Sequence, residues 1–312
     1  MKMINNKNIF ILLIAIVIGI LGLYSYYSYT SYSAYRTMQK STRSAYFIQK
    51  LNHVIDAVEK ERLSSAFYMG TEGKSGYSQL KKSRQITDAV MDEMHTLMSE
   101  HNILESYQKR LMLGFENIKY VRTKVDTLSS NPHNIFFNIY QGQIFDTFYE
   151  VMKELIGNES SAKVKEYLHL YTDFVALKEN TSLENASIFL TLTTSKKMEN
   201  QDLVAWDSLI VNDMLPDFDS LSDTALAKKM HTLFSEQTFN HLLDSQRVQI
   251  LYASMTGHYP VEPDAWLMQH KQKIKSFLSG ENLLLKAIQL DSKEKFKEMK
   301  DVMIQNLVTV LF

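Results

Sequence analysis

Arg62 is the residue whose type and spacing point most directly to chemistry. It belongs to the series Leu51, Ile55, Val58, Arg62, Ser65 and Met69, spaced four, three, four, three and four, which is the seam a helix turns toward its neighbours. An arginine there takes a slot that periodicity assigns to an apolar side chain. A guanidinium buried without a partner is very costly. Arg62 therefore either snorkels to solvent or meets a carboxylate on a facing helix, a backbone carbonyl, or a bound anion. Arginine suits the last role because its rigid planar fork matches two oxygens of an oxyanion at once.

The chain has seven Arg against 27 Lys, and only Arg247 lies beyond Arg122. Arg247 stands at helical spacing from Leu243, Ile250 and Leu251, so it too is a candidate to point inward. The lysines fit a solvated face, and nothing in the sequence separates Arg84, Arg110 and Arg122 from surface.

Other chemistries find no foothold. The nine His (His53, His95, His101, His133, His169, His231, His241, His258, His270) include no pair four apart and no HExxH, so no metal site is expected. Phosphate-binding loops of the GxxxxGK[ST] or GxGxxG type and the GxSxG nucleophile elbow are absent. With no Cys at all, disulfides, thiolate metal sites and thiol nucleophiles are excluded. Lys+Arg total 34 against 35 Asp+Glu, a net charge of -1, which leaves no basic footprint for nucleic acid.

Helices must position these residues. Ten Gly and four Pro in 312 residues leave little room for the many tight turns of a β-sandwich or barrel. Breaker clusters stand at 70–76 (GTEGKSG), 129–134 (SSNPHN), 157–161 (GNESS), around Pro216, and at 257–263 (GHYPVEP). Between them apolar residues recur at three and four, as in Ile135, Phe136, Ile139, Tyr140, Ile144, Phe148, Val151 and Leu155. Pro132 disfavours helical geometry at Asn131, which marks a helix boundary. The pattern predicts eight or nine helices and essentially no sheet.

The stretch from Ile9 to Leu23 (IFILLIAIVIGILGL) carries no charge and, extended to Tyr27, is long enough to cross roughly 30 Å of hydrocarbon as a helix. Tyr24, Tyr26, Tyr27, Tyr29, Tyr32 and Tyr35 follow it, as in an interfacial belt. Lys2 and Lys7 precede the stretch, whereas the first positive charge after it is Arg36, so the N-terminus is expected in the cytoplasm. A cleaved signal peptide is the alternative. The long apolar run and the bulky Tyr at its exit favour an uncleaved anchor. The terminal run Asn306–Phe312 (NLVTVLF) is too short to span.

Two stretches of the chain look alike. Aligning Glu61 with Glu184, an offset of 123, also pairs Arg62 with Asn185 and Ser64 with Ser187. Two similar helical bundles or chance likeness between amphipathic helices both account for this.

The motif Glu59-Lys60-Glu61-Arg62-Leu63-Ser64-Ser65, with Arg84-Gln85-Ile86-Thr87-Asp88 downstream, resembles the first half of the nitrate- and nitrite-sensing (NIT) domain. The stretch from Leu177-Lys178-Glu179 through Leu183-Glu184-Asn185-Ala186 resembles the second-half motif of that family. Asp264-Ala265-Trp266, then Lys273-Ile274 and Glu281, is similar to its closing tryptophan-containing helix. The resemblance covers roughly residues 45–290. It implies an all-helical sensor domain of two related bundles, outside the membrane and often dimeric, with small inorganic anions held between the bundles by arginines, one from each motif. Arg62 stands at the first of those positions. Asn185 stands at the second, where it offers hydrogen bonds but no charge. The lost charge-assisted contact is worth about 1.5–3 kcal/mol, roughly ten- to a hundredfold in affinity. Arg247 is a candidate to supply that charge from another helix.

The expected fold is all-α: an N-terminal transmembrane helix followed by two related up-down helical bundles. Residues 1–35 form a cytoplasmic stub, anchor and Tyr-rich interface. Residues 36–312 form the extracytoplasmic domain, with halves at about 36–157 and 158–312. The expected function is non-enzymatic sensing of a nitrate- or nitrite-like anion at Arg62, Asn185 and Arg247, without cofactor, metal or nucleic acid. The protein would sit in the inner (cytoplasmic) membrane as a single-pass chain. Such domains commonly precede a second span and a signalling module, which this sequence lacks, so the signal is expected to pass through a homodimer or a separate signalling protein. The alternative is a membrane-anchored helical interaction or assembly module without a ligand. In that case Arg62 is locked to an acidic side chain with no anion-sized cavity beside it. A membrane-anchored enzyme would need a polar cleft with clustered titratable groups, and the sequence singles out none.

Overall fold

A computed structural model describes residues 6–100, 105–159, 161–235 and 238–311. Lys2 of the expected cytoplasmic stub, His101, and Phe312 of the terminal apolar run lie outside the described residues. The chain forms α1 (Asn6–Gly70), α2 (Tyr77–Glu100), α3 (Glu105–Thr127), a π-helical segment (Asn134–Phe145) continuing into α4 (Asp146–Gly157), α5 (Ala162–Thr194), α6 (Asn200–Val211), a 3-10 turn (Phe218–Ser220), α7 (Thr224–Phe234), α8 (Thr238–Ala253) and α9 (Pro263–Leu311). Among the described residues there is no strand.

The breakers do what their chemistry predicts. Between α1 and α2 the backbone turns at Gly76 with φ +86°, where a Cβ would fall 2.5 Å from the Phe67 ring, so only glycine fits both the angle and the space. The Ser161 hydroxyl caps the start of α5 by accepting from the Val164 N–H, and Asp223 caps α7 by accepting from the Leu226 N–H. The stripe from Ile135 to Val151 is buried throughout, yet its first part is π-helical. The Asp146 N–H bonds the Gln141 carbonyl, five residues back. π-helical turns are uncommon and concentrate near functional sites.

α1 changes environment along its length. Its apolar side chains from Phe10 to Leu23 are exposed, and an 18-residue window there has a mean hydropathy of 2.3 with none of it covered by protein. From Ser41 onward the same unbroken helix enters the core, which is one contiguous apolar cluster drawn from every long helix.

α1 and α5 lie side by side and parallel. The pairs Ser41 with Glu159, Asn52 with Tyr171, Arg62 with Glu179 and Asn52 with Lys178 join residues 117 to 126 apart in sequence. Near the end of α1, a Cβ on Gly70 would come within 2.9 Å of Thr193. The offset of 123 that aligns the two sequence motifs is thus also the register at which the two helices stand together. α9 runs antiparallel to both, with Trp266 beside Asn185, Glu281 beside Asn52 and Lys295 beside Ser161.

Candidate functional site

All six residues of the Arg62 series are buried, and Arg62 is wholly inaccessible to solvent. Its guanidinium faces α5. Nη1 and Nη2 donate to the two carboxylate oxygens of Glu179 at 2.5 and 3.0 Å, the parallel two-bond geometry in which arginine binds planar oxyanions. The Phe145 ring lies 4.7 Å from Cζ and the Tyr140 ring 5.9 Å. Both come from the π-helical segment, whose wide turns bring these aromatics against the guanidinium. Nε is buried without a hydrogen-bond partner. Pairing with an acidic side chain is what the ligand-free alternative expects of Arg62.

Around this pair lies a buried polar layer that periodicity alone would have filled with apolar residues. Lys178 of α5 donates to Asn52 Oδ1 at 3.1 Å and to Glu281 Oε1 at 2.8 Å, and pairs with Asp56 at 2.6 Å. Asn52 Nδ2 in turn donates to the Tyr171 hydroxyl and to Glu281 Oε2, both at 2.8 Å. Glu59, one turn before Arg62 on α1, is buried, and among the described residues no cation lies within ion-pair distance of it. It stands close enough to Glu179 for the two carboxyls to act on each other, and its Oε1 is buried without a hydrogen-bond partner.

The layer therefore holds four acids (Asp56, Glu59, Glu179, Glu281) against two bases (Arg62, Lys178). Glu59, Glu179 and Glu281 are buried and Asp56 is partly exposed, and carboxylates this crowded cannot all stay ionised beside two cations. Burial pushes Glu59 well above the ordinary carboxylate range, and the negative charge of Glu179 adds to the shift. Burial also raises Glu179 and Glu281, though the neighbouring Arg62 and Lys178 oppose it. Burial would lower Lys178, but Asp56, Glu281 and Glu59 together hold it above its usual value. Burial thus favours the protonated form most strongly at Glu59, whereas at Glu179 the facing Arg62 guanidinium opposes it.

Arg247 faces Glu184. Its Nε and Nη2 donate to the Glu184 oxygens at 2.7 and 2.6 Å, while Nη2 also reaches Asp213 and Nη1 reaches Asp244. Trp206 Nε1 and His270 Nε2 complete the surroundings of that carboxylate at 2.9 and 3.2 Å. Burial alone would raise Glu184, but His270 and Arg247 hold it well below the usual range. Lys273, beside the same cluster, pairs with Asp213.

Asn185 is buried. Its backbone carbonyl accepts from Trp266 Nε1 at 3.3 Å, and its side-chain Oδ1 has no hydrogen-bond partner. The α1–α5 register puts it level with Arg62. Arg62, Asn185 and Arg247 make no hydrogen bond to one another.

Arg122, which the sequence leaves indistinguishable from surface, is a clamp on the fully buried Glu61. Its Nε and Nη2 donate to the two Glu61 oxygens, both at 2.8 Å, and Nη1 reaches Asp88 at 2.7 Å. Arg84 stands 3.8 Å from the same carboxylate. Arg110 pairs with Glu154 on the exposed flank. The repeat carried the signal for Arg122: it lies 125 residues before Arg247, close to the offset that joins Glu61 to Glu184.

Two cavities lie elsewhere. One of about 530 Å3 opens between α1, the start of α5 and α9, lined by Ser33, Thr37, Ser41, Ser161, Asp291 and Lys295 among others. A smaller one, about 50 Å3, lies between the π-helical segment, α5 and α6. Arg62, Asn185 and Arg247 line neither.

The profile of the family described as nitrate and nitrite sensing matches residues 53–289, a span that contains Arg62, Glu179, Asn185 and Arg247. Among solved structures, that of the NasR transcription antiterminator is similar in fold, with a TM-score of 0.59 over 91% of this chain and 83% of that one at 10% identity. Among curated proteins no relative matches the chain.

Proposed function

We propose, because the chain belongs to the nitrate- and nitrite-sensing (NIT) family, that it is a receptor for a small planar oxyanion of that class, held at Arg62 between α1 and α5. One observation carries this reading. A fully buried guanidinium, stacked on Phe145, grips a planar monoanionic group by two parallel bonds and keeps a third donor, Nε, unfilled. A carboxylate and a nitrate or nitrite ion present the same pair of oxygens to such a fork. Asn185 supports the assignment, because turning its amide presents an NH2 donor at the height of Arg62. Arg247 is a positioning residue in this scheme. It fixes Glu184, the neighbour of Asn185 on α5, while each of its three nitrogens donates to a carboxylate.

The bare apolar face of α1 between Phe10 and Leu23 fits a membrane anchor, with the N-terminus in the cytoplasm and the helical domain outside. α1 is continuous from that stretch to Arg62. A ligand that favours one packing of α1 against α5 therefore acts on the span through a single rigid element, and a homodimer or a separate signalling protein would read the shift.

The ion pair to Glu179 favours a second reading, a ligand-free assembly module in which that pair is permanent. Calorimetric titration of the detergent-solubilised full chain with sodium nitrate and sodium nitrite separates the two. The receptor gives saturable binding that is lost in Arg62→Gln. No heat from either anion leaves the assembly module.

A further inference from the structure

The Arg62 site is already filled by the protein itself. We propose that Glu179 is a built-in occupant which the incoming oxyanion displaces from Arg62, and that each anion binds together with one proton. This inference rests on the receptor reading and adds its regulation.

Glu179 lies within a polar layer that gathers Asp56, Glu59 and Arg62 from α1, Lys178 on α5 itself and Glu281 from α9, with Tyr140 of the π-helical segment against the same Arg62 guanidinium. Lys178 is committed to Asp56, Glu281 and Asn52. Once an anion takes Arg62, no second cation of this layer is free, among the described residues, to receive the Glu179 carboxylate. The neighbouring Glu59 is an acid and supplies no charge of opposite sign in either protonation state.

The exchange balances simply. The two charge-assisted bonds from Arg62 to Glu179 break, and two form from Arg62 to the oxyanion. One proton from solvent neutralises the released Glu179 carboxylate, which then pairs with Glu59 as a neutral carboxyl. Anion and proton enter together, so the buried layer keeps its net charge. An ionised Glu179 left without a partner would cost far more than the proton does. Nitrate and nitrite remain anionic at neutral pH, so the proton resides on the protein.

Linkage turns this into a measurable slope. One proton taken up per anion makes the dissociation constant rise about tenfold per pH unit. Nitrate titration of the detergent-solubilised full chain from pH 6 to pH 8 is expected to show about a hundredfold weakening. Parallel titrations in phosphate and Tris, whose ionisation heats differ, are expected to count one proton absorbed per nitrate. Glu179→Gln removes the competing charge. It should tighten nitrate binding at pH 8 by at least tenfold and flatten the pH profile. If wild type binds nitrate with no pH slope and no proton uptake, or if Glu179→Gln binds more weakly than wild type at pH 8, displacement is overturned while the receptor stands. If neither wild type nor Glu179→Gln binds nitrate or nitrite, the receptor reading itself falls. Should Glu179→Gln fail to fold, the proton count on wild type decides alone.

Discussion

Glu61 on α1 and Glu184 on α5 are held in the same way. Each is a buried carboxylate gripped along the Nε–Nη2 edge of one arginine, Arg122 for the first and Arg247 for the second, with four contacts between 2.6 and 2.8 Å. The two central helices thus carry matched anchors that tie α3 and α8 to them, and the anchors flank Arg62 and Asn185 by one residue. Polar residues in this core place the elements that bear the site.

The anchors predict unequal costs. Arg247→Ala leaves Glu184 buried with His270 as the basic group that still hydrogen-bonds it, and should destabilise the domain by about 3–5 kcal/mol, as breaking a buried ion pair does. Arg122→Ala should cost less, about 1.5–3 kcal/mol, because Arg84 stands ready 3.8 Å from Glu61. Denaturant unfolding of the two variants measures the difference, and an equal or reversed order contradicts the clamp assignment.

Stability should fall as pH rises above the normal carboxylate range. Glu59, Glu179 and Glu281 all have folded-state values raised by burial, so between about 4.5 and those raised values the folded domain binds more protons than the unfolded chain. Folding stability then declines with increasing pH through that window. Glu59→Gln, a neutral stand-in for the protonated acid, should raise the melting temperature at pH 8 by at least about 2 °C and flatten the slope. Thermal unfolding between pH 5 and pH 8 tests both. The lowered value of Glu184 works in the opposite sense: its contribution is present above the normal carboxylate value and is lost in acid.

A second guanidinium should strengthen the site. Asn185→Arg places one level with Arg62, at the position where the resemblance implies the family's second arginine, and beside a layer with excess acid. Nitrate affinity is expected to rise ten- to a hundredfold, the worth of one charge-assisted bond. Calorimetry on the variant reads this directly, and unchanged or weaker affinity removes Asn185 from the site.

Topology can be read cleanly because the chain has no cysteine. A single Lys7→Cys should be protected from a membrane-impermeant maleimide in intact cells. Tyr252→Cys, at a position 84% exposed on α8, should label rapidly. The reverse pattern would place the helical domain in the cytoplasm.

How much of this was legible in the sequence depends on how local the determinant is. That Arg62 points inward followed from spacing within one helix, and the buried stripe from Ile135 to Val151 followed likewise. Even the lateral register of α1 and α5 was present, as the offset between Glu61 and Glu184. Glu179 as the partner of Arg62 was not legible, because choosing one acid among 35 requires knowing which helices touch. Arg122 was missed because its neighbours in sequence match those of a solvated arginine, and its one signal was the 125-residue distance to Arg247, near the repeat offset. The end of α5 at Ser195, which adopts φ 50° without a glycine, gave no turn signal at all. The π-helical geometry that brings Phe145 to Arg62 was also hidden, since apolar spacings of four fit either helix type.

A structure of the full chain determined with saturating nitrate tests the central claim most directly. The account predicts a planar anion on the Arg62 fork, within hydrogen-bond distance of Nη1 and Nη2, with the Glu179 carboxyl turned away toward Glu59. Glu179 still seated on Arg62 at ligand saturation, with the anion bound elsewhere or not at all, would contradict it.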